Sequence, residues 1–312
     1  MRVTHVVTRD AGRAAEAAED QPGVEVVGSV ADLMAVADSL DLVVVASPSG
    51  LHVEHAMAAV ERAVAVVVDK PLAISLESGR ALVERARERR VPLTVFQNRR
   101  WSSEHLTARA VLHAGVLGEL VRYEARYERW RPVPKSRWRE KLPSEQGGGL
   151  LMDLQPHLVD GALDLFGPVE SVHAELQSVT TVGDDVSFLV LQHRSGLRSH
   201  LGATSLAGAP GPRMRILGRA GTYLVADMDG EPTAYGGPVD RDREHRGWLV
   251  RGEAAEPVAK APGGWGDFYP AVAAMVRDGG PPPVDPDDAV AVLEVLDAAR
   301  RSAREGGVVP LG

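Results

Sequence analysis

Over its first hundred residues the chain alternates short β-branched runs with helical stretches, and nothing else in it restricts the possible folds so strongly. Apolar runs stand at 2–7 ("RVTHVV"), 24–28 ("VEVVG"), 42–46 ("LVVVA"), 64–68 ("VAVVV") and 92–96 ("PLTVF"). Between them, Ala/Glu/Arg-rich stretches of helical period fill 11–19, 30–39, 50–62 and 75–90. Strands that are apolar without interruption need cover on both faces, so the pattern predicts an α/β domain built on a parallel sheet. After about residue 118 period-2 strands follow one another between turn signals such as "RSG" and "GRAG". One helical stretch, 150–166, interrupts them, and two more, 266–277 and 287–304, close the chain. This predicts a second, α+β domain with a mostly antiparallel open sheet, the division falling at 1–100 and 101–312.

A chain of 312 residues is long enough for two such domains, and its 44% apolar and 25% charged content is that of an ordinary globular protein. A net charge of −8 argues against a chain built mainly to bind nucleic acid or an anionic membrane. Residues 122–141 run locally the other way, with eight basic residues against three acidic ones, but no nucleic-acid motif accompanies them. No cysteine and no bilayer-length apolar run are present, so a cytoplasmic protein is expected.

Lysine is scarce, at 4 residues against 31 arginines, yet Lys70 stands where the "VVVDKP" strand ends. A position that keeps lysine in such a chain suggests a compact donor able to exchange a proton, although a solvated strand end would look the same. In a parallel sheet, ligands bind outside the carboxyl ends of the strands. Three polar segments leave strands at that edge: "SPSGLH" (47–52), "DKP" (69–71) and "QNRRW" (97–101). Farther along, "GGGLLMDLQPHLVD" sets Asp153, His157 and Asp160 at i, i+4 and i+7, on one helix face. Pro156 is tolerated only in a first turn, which puts Asp153 and His157 at the helix start. His52 and His55 lack a third ligand and match no zinc motif, so no metal is expected, and His55 should face solvent or a domain contact. The glycines at 147–149 follow no strand and read as a hinge.

Taken together, "VVVDKPLAISLESGRALVERARERRVPLTVFQNRRW", "RWRE" and "GGGLLMDLQPHLVDGALDLFG" resemble the Gfo/Idh/MocA family, in the same order and across nearly the whole chain. The resemblance implies a Rossmann-type NAD(P)-binding domain, then an open-sheet domain carrying the substrate site and the oligomer interface. It implies hydride transfer between NADP or NAD and a secondary alcohol or ketone of a sugar, cyclitol or related polyol. Lys70, Asp153 and His157 match the family's catalytic set, and they are expected to converge on one cleft. Ser47, Pro48, His52, Asp69, Gln97, Trp138 and Arg139 fall on the cofactor side, and Asn98, Arg100 and Trp101 join His157 on the substrate side. Gln155 departs from the family pattern, where glycine is usual.

In that chemistry His157 is the natural general base, with Lys70 donating to the reacting oxygen and Asp153 orienting one of them. Arg9 follows the "THVV" strand where NAD-preferring proteins carry an acid, which favours NADP, although Asp10 comes directly after it. No G-x-G-x-x-G follows an opening strand, so a first strand, its turn and a helix are expected to be missing, and the surviving strands 2–7 and 42–46 should flank a gap. A non-redox ligand-binding relative and a cofactor-assisted glycosidase or lyase remain open as alternatives. The second-domain sheet is expected to pair subunits as a homodimer or homotetramer.

Overall fold

The computed structural model describes residues 1–226 and 244–312, which form two compact units. The first comprises residues 1–73, 77–96 and 269–286, the second 74–76, 97–268 and 287–312.

In the first unit, strands and helices alternate as the apolar runs predict: β1 (His5–Val7), α1 (Ala11–Asp20), β2 (Glu25–Val27), α2 (Val30–Ala35), β3 (Leu42–Val45), α3 (His52–Glu61), β4 (Ala65–Asp69), α4 (Leu76–Glu88) and β5 (Leu93–Phe96). Asp10 caps α1 by accepting from the Arg13 N–H, and Ser29 caps α2 through Asp32. Every pairing is parallel, in two sheets: β1 with β2, and β3–β4–β5 with β4 central. Val66, Val67 and Val68 of β4 are fully buried, as an uninterrupted valine run requires when helices cover both faces. β1 and β3 lie in separate sheets, and Val7 and Val44 on them are 37% and 47% exposed. The segment 269–286 is tied beside β5 by Thr94, whose hydroxyl donates to the Val284 carbonyl at 2.9 Å and accepts its N–H at 3.1 Å.

The second unit contains α5 (Ser103–His113), β6 (Leu120–Glu128), α6 (Trp138–Lys141), α7 (Gly149–Asp153), α8 (Gln155–Phe166), β7 (Val169–Gln177), β8 (Val186–His193), β9 (Arg198–Thr204), β10 (Met214–Gly218), β11 (Gly221–Val225), β12 (His245–Arg251) and β13 (Ala254–Ala259). After α9 (Phe268–Asp278), the chain ends in α10 (Pro286–Glu305) and β14 (Val309–Pro310). Nine strands form one sheet in the order β13-β12-β11-β10-β6-β9-β8-β7-β14, antiparallel except for the β6–β9 pair. α8 packs on it through Leu158, Val159 and Ala162, and Phe166 meets Tyr123 of β6 at a ring separation of 4.8 Å.

Three features depart from the sequence reading. α5 buries Glu104, His105 and Thr107 along with Ala108 and Val111, so its inward face carries no apolar stripe. β12 and β13 form a hairpin in which β13 is almost wholly exposed and lacks alternation. The single helix expected at 150–166 is two, broken at Leu154. Among the described residues no helix is long and apolar enough to cross a membrane.

Candidate active site

In the first unit, His52 at the start of α3 holds two of the polar segments together. Its Nδ1 lies 2.8 Å from the Pro71 carbonyl and its Nε2 2.8 Å from the Ser47 carbonyl. The imidazole is buried, so its task is to fix the turn after β3 against the turn after β4. His55 is partly exposed, and its Nδ1 lies 3.0 Å from the Ser47 hydroxyl, one helical turn from His52 on the same face. Asp69 accepts the Lys70 N–H at 2.8 Å, and Lys70 itself is half-buried. Arg9 is exposed, its Nε donating to the Gly28 carbonyl at 3.0 Å.

In the second unit the break at Leu154 sets Asp153 at the end of α7 and His157 in the first turn of α8, where Pro156 is accommodated. Residues 151–160 are otherwise buried; only Asp153 and His157 are partly exposed. Arg139 stands 3.4 Å from the Asp153 carboxylate and stacks over Trp138, 4.5 Å from its ring centroid. Tyr127 of β6 presents its ring edge-to-face to the His157 imidazole at 6.2 Å. Gln155 is fully buried, and its amide donates to the Ser187 hydroxyl at 3.1 Å and the Leu201 carbonyl at 3.3 Å. The side chain that replaces glycine therefore anchors the start of α8 to strands β8 and β9.

The "QNRRW" segment divides between tasks. The Gln97 Oε1 and Asn98 Oδ1 atoms are buried with no hydrogen-bond partner among the described residues. Acceptors left in that state suit a ligand hydroxyl or amide, so this segment fits a bound nicotinamide nucleotide or polyol. Arg100, expected beside the substrate, acts as a brace: its guanidinium forks onto Asp160 at 2.7 and 3.0 Å and reaches Asp288 at 2.8 Å. Asp160, read from its spacing as sharing a face with Asp153 and His157, is buried against that arginine. Burial pushes the Asp160 carboxyl up, while His105, Arg100 and Arg109 hold Asp164 well below the ordinary range against its own desolvation. Trp101 meets Phe268 edge-on at 5.2 Å.

The "GGG" run is a close-approach site as well as a bend. Gly149 has φ +76°, and a Cβ there would lie 2.1 Å from Asp184 Oδ1. Asp184 accepts the Leu151 N–H at 2.8 Å, so it caps the helix that ends at Asp153. Burial pushes its carboxyl up to about 7, against the lowering pull of the backbone N–H groups and Arg300. Its ordinary value is 3.8, so the folded state holds the proton more tightly, and stability falls as pH rises from about 4 to 7. Asp184→Asn keeps an acceptor for Leu151 and removes that loss. The variant is expected to match wild type in thermal unfolding at pH 4 and to exceed it by about 1 kcal/mol or more above pH 7. Equal unfolding temperatures at both pH values would show that water reaches the carboxylate.

The order of these segments recurs in known proteins. Residues 1–97 match the NAD-binding Rossmann fold of an oxidoreductase family, and 109–311 match that family's C-terminal alpha/beta domain. The chain belongs to the Gfo/Idh/MocA oxidoreductases. It is similar to the scyllo-inositol 2-dehydrogenase (NADP(+)) IolW of Bacillus subtilis, 30% identical over 96% of this chain and 86% of the relative. The uncharacterized oxidoreductase YdgJ of Escherichia coli is 32% identical over 85% of this chain and 80% of its own length. Among solved structures, the yvaA protein of Bacillus subtilis superposes with a TM-score of 0.87 at 28% identity, covering 100% of this chain and 91% of that one. The WlbA dehydrogenase of Bordetella pertussis, solved with NADH and UDP-GlcNAcA, superposes with a TM-score of 0.80 at 25% identity, over 100% and 91% of the two chains. As a Gfo/Idh/MocA member the protein is an NAD(P)-dependent oxidoreductase whose Rossmann-type domain precedes a domain with a mostly antiparallel sheet.

Proposed function

We propose that the protein transfers hydride between NADP and a secondary alcohol or ketone of a sugar, cyclitol or related polyol. The observation that carries this is the pair Asp153 and His157, the only partly exposed side chains in an otherwise buried stretch, in a chain of this family. When bound, the nicotinamide accepts or returns the hydride. His157 takes the hydroxyl proton as the carbinol C–H bond breaks, and Lys70 donates to the oxygen on which charge builds. Asp153 stabilises the charge that His157 gains and is itself positioned by Arg139 at 3.4 Å. Ser47, Pro48 and Asp69 line the cofactor side, their turns tied by His52, and Gln97 and Asn98 supply acceptors.

Arg9 supports the choice of NADP, since an exposed guanidinium suits a 2′-phosphate, and the similar IolW carries NADP(+) in its name. A reduced-nicotinamide absorbance change on mixing the protein, carrying an added strand–glycine turn–helix unit and saturated with NADP, with scyllo-inositol or another polyol tests the reading. No change with any polyol, in either direction, would leave a non-redox binding role.

We also propose that the nine-stranded sheet pairs subunits of a cytoplasmic homo-oligomer, as Val121 of β6, 56% exposed, suggests. Light scattering at micromolar concentration is expected to give at least twice the 33.3 kDa chain mass; the mass of a single chain would refute it.

A further inference from the structure

A cavity of about 170 Å³ lies wholly within the second unit, and its charge is one-sided. Arg99, Arg246 and Lys260 line it with a single carboxylate, Glu104, and with Ser103 and Trp265. Glu104 is already matched: it accepts from Arg213 at 2.7 Å and from Arg246 at 3.3 Å. Those cations hold its carboxyl below the ordinary range in spite of burial. Arg213 alone, itself buried, would neutralise it, so the cations on the wall exceed the anions.

Two of them make no ion pair among the described residues, although Arg99 is near enough to Glu104 to help lower its carboxyl. The Arg99 guanidinium lies 5.3 Å from the Trp265 ring and 5.6 Å from that of Tyr127, and its buried Nε has no acceptor among the described residues. Lys260 is exposed and makes no ion pair among the described residues. The start of α5 adds to the field. Ser102, at its N-cap, donates its hydroxyl to the Arg99 carbonyl at 2.8 Å and caps no N–H, so the first N–H groups of the helix have no side-chain cap from it beside Glu104 on the cavity wall.

We propose that this cavity seats an oxyanion carried by the substrate, so that the polyol is an acidic one bearing a carboxylate or a phosphate. Tyr127 links the two places, with one face toward Arg99 and its ring edge-to-face with His157. An anion held by Arg99 and Lys260 would fix which hydroxyl of the ring reaches His157. The inference rests on His157 being the base of a polyol oxidoreductase.

Titration calorimetry of the chain with inorganic phosphate and with acetate, at ionic strength held constant with chloride, tests the cavity without any turnover. Saturable binding is expected for at least one of them, weakened about tenfold in Lys260→Ala and in Arg99→Gln. Lys260 is exposed, so its variant leaves the fold intact. Binding that is absent, or equal in wild type and both variants, would overturn the inference. Turnover of a sugar acid, a sugar phosphate and their neutral parent then separates the possibilities. Preference for one acidic form identifies the anion, and preference for the neutral sugar overturns the substrate assignment. Phosphate binding without turnover of any polyol, even in a form carrying a strand–glycine turn–helix unit and saturated with NADP, would refute the redox reading and the substrate assignment together, leaving only an anion site.

Discussion

Calorimetric titration of the 312-residue chain with NADP is expected to show binding at least a hundredfold weaker than the same chain given an added strand–glycine turn–helix unit. In a Rossmann-type domain the first strand is central, and its turn presents backbone N–H groups and a helix N-terminus to the pyrophosphate. Here β1 and β3, the expected neighbours of that strand, lie in separate sheets, and no G-x-G-x-x-G occurs anywhere in the sequence. Two charge-assisted hydrogen bonds to the pyrophosphate, at about 1.5 kcal/mol each, correspond to the hundredfold difference. The same unit would pair the free edges of β1 and β3 and cover Val7 and Val44, so the thermal transition should rise as well. Low-micromolar NADP binding by the 312-residue chain without the added unit would sink this account, because Ser47, Pro48 and Asp69 would then be sufficient to hold the nucleotide.

In the extended form, with NADP saturating, Lys70→Arg is expected to lower kcat about as much as Lys70→Ala, by roughly a hundredfold or more in each case. Lysine offers a compact ammonium with three freely rotating donors on a flexible stem; arginine presents a planar fork that needs more room. The chain has 31 arginines, so a role for positive charge alone had an abundant alternative. His52 fixes the Pro71 carbonyl at 2.8 Å, so a larger head group at position 70 cannot be absorbed by movement of the turn. NADP affinity measured in parallel separates the two roles. A Lys70→Arg variant with near-normal kcat would mean that Lys70 acts only as a positive charge near the cofactor.

How much of this was legible from residues alone depends on whether the signal was local. The alternation of valine-rich runs and charged helices announced the parallel strands, because a strand covered on both faces must be apolar throughout, as Val66–Val68 are. Proline at 156 placed a helix start, because that ring is tolerated only in a first turn. Those constraints act within a few residues, so they can be read from a string.

Tertiary structure decided the rest, because charge pairing and close approach join positions far apart in the chain. Arg100 became a brace through Asp160 and Asp288, sixty and nearly two hundred residues away. α5 was invisible since its buried face holds Glu104 and His105, whose burial is tolerable only with Arg213, Arg246 and Asp164 opposite them. Gly149 read as a hinge until Asp184 was found where its side chain would have been. A one-dimensional pattern records which residues are apolar and how often; only the folded chain records which buried charge meets which, and those meetings separate brace from binding site.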